Sequence, residues 1–288
     1  MQPAPDILSL EAIEKELQTS WVGRNLGENG KDGKNEVWQS VGSTNNRVQE
    51  LASQGAPAGV FVAARQQTAG RGRLGRVWVS PPDAGVYMSV LFRPGDTPSQ
   101  DLAPITLAFG VAASRAVEHV VGVRLGLKWV NDLVLDGKKI GGILAEMPAI
   151  PASDNGSQSK ALILGCGLNV RLDPAEIPSE LVDKMGWLEQ SARSPVNPNL
   201  LAAQLLFELE RSYDLLQAGK VSAILDEWRD RTVTLGKDVV VTSGTTSLQG
   251  RAIDIDKSGA LLVQLDNGEI STVHAGEVTV RTADGSYV

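Results

Sequence analysis

Cysteine occurs once in these 288 residues, at Cys166, and histidine twice, at His119 and His274. A single thiol excludes an intrachain disulfide framework. One thiol and two imidazoles supply too few ligands for a His/Cys metal site, so no protein-held metal is expected. Long apolar runs are missing as well. None approaches the roughly 18 residues that a bilayer-spanning helix needs, and Met1 to Leu10 has no basic stretch leading into an apolar one. No membrane association and a cytoplasmic setting are the expectations. Positive charge is outnumbered, with 27 Lys and Arg against 34 Asp and Glu, a net −7. That balance argues against a general nucleic-acid binder but leaves room for a local basic site.

Hydrophobic residues make up 42% of the chain, enough for a sizeable core. Residues 1–35 are poorly patterned: one short helix over Ile7–Leu17, then a polar, glycine-rich loop over Asn25–Asn35. From Glu36 the pattern predicts a mixed α/β domain. Strands are expected at Val37–Val41, Val60–Ala64, Val86–Phe92, Leu125–Val130, Leu133–Leu135 and Ile140–Glu146. The turn Asp136-Gly137 marks a hairpin between the last two. Ala161–Leu164 and Leu168–Val170 are strand-like on either side of Gly165-Cys166-Gly167. Helices are expected from Ser43 or Thr44 to Gly55, over Leu102–Val121, over Asn199–Ala218 and over Val221–Arg229. Pro148–Lys160 is a polar loop.

After Arg231 the texture changes. Val239–Thr242, Gly250–Asp256, Ala260–Leu265, Glu269–Val273 and Val278–Arg281 alternate with turns, which suggests a small β-barrel or sandwich. The expected domains are therefore an N-terminal extension (1–35), a catalytic or binding domain (36–231) and a β-rich C-terminal domain (232–288).

Four segments carry chemistry. In Thr68 to Arg76, glycines and arginines alternate at Gly70, Arg71, Gly72, Arg73, Gly75 and Arg76. Glycine permits close backbone approach, and arginine offers a planar fork that matches phosphate and carboxylate oxygens. Together they suit a flexible loop that closes over an anion. Gly70 to Gly75 also matches the bare G-x-G-x-x-G string, but the arginines within it and the lack of a well-placed acidic residue downstream are wrong for a dinucleotide turn. No P-loop is present. A solvated turn or an RNA-backbone loop is the plain alternative.

Lys128-Trp129-Val130-Asn131-Asp132, followed by Lys138-Lys139-Ile140-Gly141-Gly142, places charged and amide groups on strands that otherwise look buried; such groups need partners. Lys139 stands where its ammonium could reach an anion on the sheet, although a surface hairpin with ordinary charges fits the spacing equally. Gly165-Cys166-Gly167-Leu168-Asn169 suggests that a ligand or another backbone lies close to the glycines. Asn169 could bond a base or ribose, whereas Cys166 reads as a small buried residue. Ser43-Thr44-Asn45 can be read as no more than a helix cap.

These segments, in this order, resemble the biotin protein ligases. STN at 43–45, QTAGRGRLGR at 67–76, WVSP at 78–81, KWVNDL at 128–133, KKIGGIL at 138–144 and GCGLN at 165–169 all agree with that family. Val130 departs from it, standing where the family usually has proline. The resemblance implies a class II synthetase-like mixed sheet with flanking helices, followed by an SH3-like C-terminal barrel. It implies that ATP, with Mg²⁺ bridging its phosphates, activates biotin to biotinyl-5′-AMP. Biotin then passes to a lysine of a biotin carboxyl carrier domain.

By the same resemblance Ser43, Thr44, Asn45 and Gln67 contact biotin, and Arg71, Gly72 and Arg73 order around biotin and the adenylate. Lys139 contacts the biotin carboxylate and α-phosphate. Arg76, Trp78, Asn131 and Asn169 serve the nucleotide, with Arg73 shared. Asp132 is the candidate to orient or deprotonate the incoming lysine. The segment before residue 36 is too short for the DNA-binding domain that some bacterial members carry, so no DNA partner is expected. The rival readings are a lipoate or octanoate ligase, a biotin-responsive DNA-binding regulator, and an RNA-binding protein.

Overall fold

The computed structural model describes residues 7–24, 33–98, 101–150, 160–243, 246–274 and 276–280. Two sheets organise it. The larger has seven strands, β1 (Glu36–Trp38), β2 (Phe61–Ala64), β3 (Gly85–Phe92), β4 (Gly126–Lys128), β5 (Asp132–Leu135), β6 (Lys138–Glu146) and β7 (Leu162–Asn169), in the order β1-β2-β3-β7-β6-β5-β4. Only the β1–β2 pair is parallel. The smaller sheet is antiparallel: β8 (Asp238–Ser243), β9 (Thr246–Ile255), β10 (Leu261–Gln264), β11 (Ile270–Val273) and β12 (Glu277–Val280), ordered β11-β10-β9-β8-β12. The expected loops over 25–35 and 148–160, and the end of the last expected strand at Arg281, fall largely or wholly outside the described residues.

Helices cover the large sheet because their apolar positions recur at helical spacing. α3 (Ile105–Val121) buries Ile105, Ala108, Phe109, Ala112 and Ala116, and ends at Gly122, whose positive φ of 75° closes the last turn. It starts three residues later than the sequence suggests, since Pro104 sits at the N-cap. α4 (Pro198–Gln217) is capped by the Asn197 side chain and buries Leu201, Leu205, Leu209, Tyr213 and Leu216. α5 (Val221–Arg231) buries Ile224, Leu225 and Trp228. Phe92 of β3 gathers Trp21, Phe109 and Tyr213 around it, with ring centroids 5.9, 5.5 and 4.5 Å away. Such ring pairs add to the burial of their own area.

The N-terminal segment is tied to α4. α1 (Leu10–Glu16), capped by the Ser9 hydroxyl, buries Ile13. Glu210 on α4 is buried and accepts the backbone N–H groups of Ser20, Trp21 and Val22 at 2.7–2.8 Å. Replacing Glu210 by alanine leaves these donors without their acceptor. The Val22 donor is buried and the other two are partly open to water; an orphaned buried donor costs about 1–3 kcal/mol, so Glu210→Ala is expected to lower the urea midpoint by an amount equivalent to about 2–4 kcal/mol once the partly buried donors add their smaller share. A midpoint unchanged from the parent would refute this.

Two expectations for strands near the site need correction. The strand predicted over Leu125–Val130 covers only Gly126–Lys128, because the chain turns there into β5, whose Asp132 pairs with Lys128. The two short strands expected around Gly165-Cys166-Gly167 are one continuous strand, β7. Its glycines do not interrupt it because β3 and β6 pair along both of its edges.

Candidate active site

Residues of β6 and β7, Met88 of β3, the N-terminus of α2 (Thr44–Ser53) and the stretch 67–79 surround a cavity of about 920 Å³. That falls in the upper range of small-molecule sites. All thirteen residues singled out from the sequence line it: Ser43, Thr44, Asn45, Gln67, Arg71, Gly72, Arg73, Arg76, Trp78, Asn131, Asp132, Lys139 and Asn169.

One end is uncharged and buried. Ser43 occupies the N-cap of α2 but its side chain makes no capping bond. The cap is instead Gln67, whose Oε1 accepts the Thr44 N–H at 2.9 Å while its Nε2 donates to Ser80 Oγ at 3.0 Å. Ser89, inward-facing on β3 and fully buried, bonds Thr44 Oγ1 at 2.7 Å and Asn45 Oδ1 at 2.5 Å. Asn45 Nδ2 donates to Glu146 at 2.8 Å. The glycines of β7 make this possible. A Cβ on Gly165 would lie 2.2 Å from Asn45 Oδ1, and one on Gly167 would lie 2.6 Å from Trp78 Nε1. The sequence reading expected a ligand or a backbone against these glycines; what lies there is two side chains.

The other end is cationic. Lys139 Nζ pairs with Asp132 Oδ1 at 2.5 Å and stands 5.5 Å from the centroid of the Trp78 ring. Lys128 is buried on β4, where loss of solvation lowers its pKa, opposed by Asp132 and reinforced by Lys139. Arg73 is half-buried, and burial lowers its pKa against the pull of Asp132 and Glu277. Lys139, Lys128 and Arg73 thus gather around Asp132, with Glu277 further off, and such a cluster of cations in a partly desolvated site stabilises an anionic ligand.

Asn131 is held from two sides, accepting from Arg73 Nη1 at 3.2 Å and donating to the Ile143 carbonyl at 3.1 Å. Asn169 Nδ2 donates to the Gly186 carbonyl at 3.0 Å. Asn169 Oδ1 and Trp78 Nε1 are buried without hydrogen-bond partners among the described residues. They offer an unmatched acceptor and donor to a ligand's polar edge.

The glycine–arginine stretch is a small hairpin rather than an open loop. Gly72 N–H bonds the Arg76 carbonyl at 2.7 Å and Trp78 N–H bonds the Gly70 carbonyl at 2.9 Å. Its tip is a single turn over Arg73–Gly75, with Leu74 and Gly75 both at positive φ. Each arginine is anchored to a different element: Arg71 to Glu146 and Asn46, Arg73 to Asn131 and the Gly276 carbonyl, and Arg76 to Glu277. The last two contacts join the hairpin to the smaller sheet.

Residues 37–169 match the biotin/lipoate A/B protein ligase family, and residues 234–281 match the biotin protein ligase C terminal domain. The bifunctional ligase/repressor BirA of Bacillus subtilis is 31% identical over 275 residues, 95% of this chain and 79% of that protein. The chain belongs to the biotin/lipoate A/B protein ligase family. A second relative, the biotin–[acetyl-CoA-carboxylase] ligase of Mycobacterium tuberculosis, is 33% identical over 270 residues, 92% of this chain and 94% of that protein. Among solved structures, a biotin protein ligase from Aquifex aeolicus in complex with biotin and ATP superposes with a TM-score of 0.72 at 27% identity. It covers 87% of this chain and 100% of that one. The chain therefore carries both parts of a biotin protein ligase, the ligase domain and the C-terminal domain.

Sequence reasoning missed several residues of the cavity wall and of the layer that supports it. Ser89 sits alone among apolar residues on β3, a polar break in a run that is otherwise all core. Glu146 closes the KKIGGIL strand. The stretch 172–190, for which no structure was predicted, contributes Leu181, Asp183, Lys184 and Met185 to the cavity wall. It also braces Lys139, whose N–H bonds the Lys184 carbonyl at 2.7 Å and whose carbonyl accepts from Gly186 at 2.9 Å. No pattern of period 2 or 3.6 announces such a segment, which is built from single turns. Cys166 is buried and its thiol is pushed up to about 12 by burial, which leaves it protonated and unreactive near neutral pH.

Asp132 lines the cavity with one oxygen 2.5 Å from Lys139 Nζ. Asp132→Asn is expected to slow transfer from purified biotinyl-5′-AMP to an acceptor by about 10²-fold while biotin affinity changes little. Unimpaired transfer would remove Asp132 from the second half-reaction.

Proposed function

We propose that this protein joins biotin to a lysine of a biotin carboxyl carrier domain in two steps within the one cavity. A carboxylate is a poor electrophile, so it is first activated. An oxygen of the biotin carboxylate attacks the α-phosphorus of ATP, the bond to the bridging oxygen breaks, and pyrophosphate leaves. The acceptor amine then attacks the acyl carbon of biotinyl-5′-AMP; AMP leaves and the amine loses a proton.

The observation that carries this reading is the polarity of the cavity. A neutral hydrogen-bonding floor at Ser43, Thr44, Asn45 and Gln67 suits the ureido ring. The cations Lys139, Arg73 and Lys128 at the far end suit a carboxylate meeting a phosphate, where two anions must be brought together. Lys139 bridges carboxylate and α-phosphate. Arg71, Gly72 and Arg73 lie over the adenylate, Arg76 receives pyrophosphate, and Trp78, Asn131 and Asn169 flank the nucleotide. Asp132 orients or deprotonates the acceptor lysine.

Among the described residues no group of three or more His, Cys, Asp or Glu lies together. Magnesium accordingly enters this reading as part of the MgATP substrate, held mainly by phosphate oxygens. Residues 36–231 form the catalytic unit and residues 232–288 the C-terminal unit, which supplies Gly276 and Glu277 to the hairpin. No helix among the described residues is long and apolar enough to cross a membrane, and a cytoplasmic setting is part of the proposal.

Biotin-dependent ATP–pyrophosphate exchange tests substrate and chemistry together. Exchange with biotin and little with lipoate is expected. No exchange with biotin, or equal exchange with lipoate, would overturn the reading.

A further inference from the structure

We propose that Glu146 is a positioning residue for ligand selection. Its carboxylate sets the direction of a buried hydrogen-bond chain so that Thr44 and Gln67 turn acceptor lone pairs towards the cavity. This rests on the reading that the cavity takes biotin.

The direction follows from proton counting. A carboxylate only accepts, so the Asn45 Nδ2 that lies 2.8 Å from Glu146 Oε2 must be the NH₂ group. Asn45 Oδ1 therefore faces Ser89, and at 2.5 Å it takes the single hydroxyl proton of Ser89. The 2.7 Å contact between Ser89 and Thr44 then has Thr44 as its donor. Gln67 Oε1, 3.2 Å away, is the more distant acceptor for the same proton; on either partner the proton is spent within the protein, and Thr44 Oγ1 has only lone pairs left to offer. Gln67 is oriented by Thr44 and Ser80: its Oε1 accepts the Thr44 N–H at 2.9 Å and lies 3.2 Å from Thr44 Oγ1, and its Nε2 donates to Ser80. Two acceptors line the floor, and a ligand with N–H donors, such as a cyclic urea, fits them.

Asn45, Ser89 and Thr44 are all buried, so water cannot readily rescue a mismatch, and an acceptor facing an acceptor there is costly. Glu146 itself lines a separate hollow beside the hairpin, with 27% of its side chain exposed, and its second oxygen holds Arg71. The same anion thus ties the ring-reading floor to the hairpin.

The test compares biotin with its isosteric cyclic carbamate, in which one ureido N–H is replaced by oxygen. In Glu146→Gln the new amide can donate as well as accept, Asn45 is free to turn over, and the chain loses its fixed direction. The ratio of kcat/KM for biotin over the carbamate in pyrophosphate exchange is expected to fall about 10-fold, since it is the unmatched buried group that enforces rejection. Loosening of Arg71 and the hairpin would weaken both ligands alike and leave the ratio unchanged, and an unchanged ratio overturns the proposal.

Ser89→Ala, a small change at a buried site, breaks the chain in its middle and is expected to lower the ratio as well. It also serves as the test if Glu146→Gln does not fold. The double variant should match Ser89→Ala alone; additive losses would show that Glu146 does not act through Ser89. Failure of the underlying biotin reading would appear differently, as no biotin-dependent exchange in the parent protein.

Discussion

Lys139→Ala is expected to lower biotin-dependent pyrophosphate exchange by about 10³-fold, the scale seen when one preorganised group is removed from a developing negative charge. The ammonium stands between Asp132 and the Trp78 ring, and its backbone is clamped by Lys184 and Gly186. It is therefore held in place before any ligand arrives, and little reorganisation is needed at the reacting centre. The strand supplies the aim. The register of β5 against β6 shifts between Leu133 and Val134, so that Gly142 pairs with Asp132 while Lys139 pairs with Val134. A bulge of this kind re-aims side chains. Lys139 and Gly142, three residues apart, would face opposite sides of a regular strand, yet a Cβ on Gly142 would lie 3.8 Å from Lys139 Nζ. The side chain runs across that glycine to Asp132. Thermal unfolding should change little in the variant, because Lys139 is partly exposed and its loss opens no core cavity. Exchange within a few-fold of the parent would defeat the assignment.

Arg73→Ala is expected to slow adenylation by about 10²–10³-fold and to release the hairpin. Arg73 Nη1 reaches both Asn131 Oδ1 and, at 3.4 Å, the Gly276 carbonyl, so one guanidinium joins the hairpin to both sheets. Cleavage by trypsin at Arg71 or Arg76 should accelerate in the free variant. Arg73→Lys should recover only part of the activity, since a lysine ammonium lacks the planar fork. Full activity in Arg73→Lys would show that charge alone suffices. Unchanged proteolysis in Arg73→Ala would show that Arg71 and Arg76 hold the hairpin without it.

Much of the site was legible because its residue types conflict with their surroundings. Lysine, asparagine and aspartate on strands otherwise built of buried residues announce a use, and alternating glycine and arginine announce an anion. These residues line one cavity together with those, such as Gln67 and Trp78, that only the family resemblance singled out. The glycines of β7 were noticed for a sound reason, and the side chains of Asn45 and Trp78 are what the structure brings against them. A glycine in a strand reports that something comes close, and its identity depends on residues more than a hundred positions away in the case of Asn45, and almost ninety for Trp78.

The elements were legible where period decides them. Helical stripes in α3, α4 and α5 and the alternating strands of the smaller sheet follow from local sequence, and their boundaries fall within a few residues of expectation. The stretch 172–190 carries no period and stayed blank, although it braces Lys139 and forms part of the cavity wall.

By itself the sequence determined the chemistry on offer: a glycine–arginine stretch suited to an anion, lysines, amides and an aspartate on strand-like segments, and a thiol with nothing to activate it. These depend on residue type and local spacing. The tertiary structure alone decided how they work together. The bulge that swings Lys139 over Gly142, the carboxylate of Glu146 shared by Asn45 and Arg71, and the reach of Gly276 and Glu277 to the hairpin arise from strand register and from contacts between distant segments. No local pattern encodes such contacts, because each exists only once the sheets have paired and the core has closed.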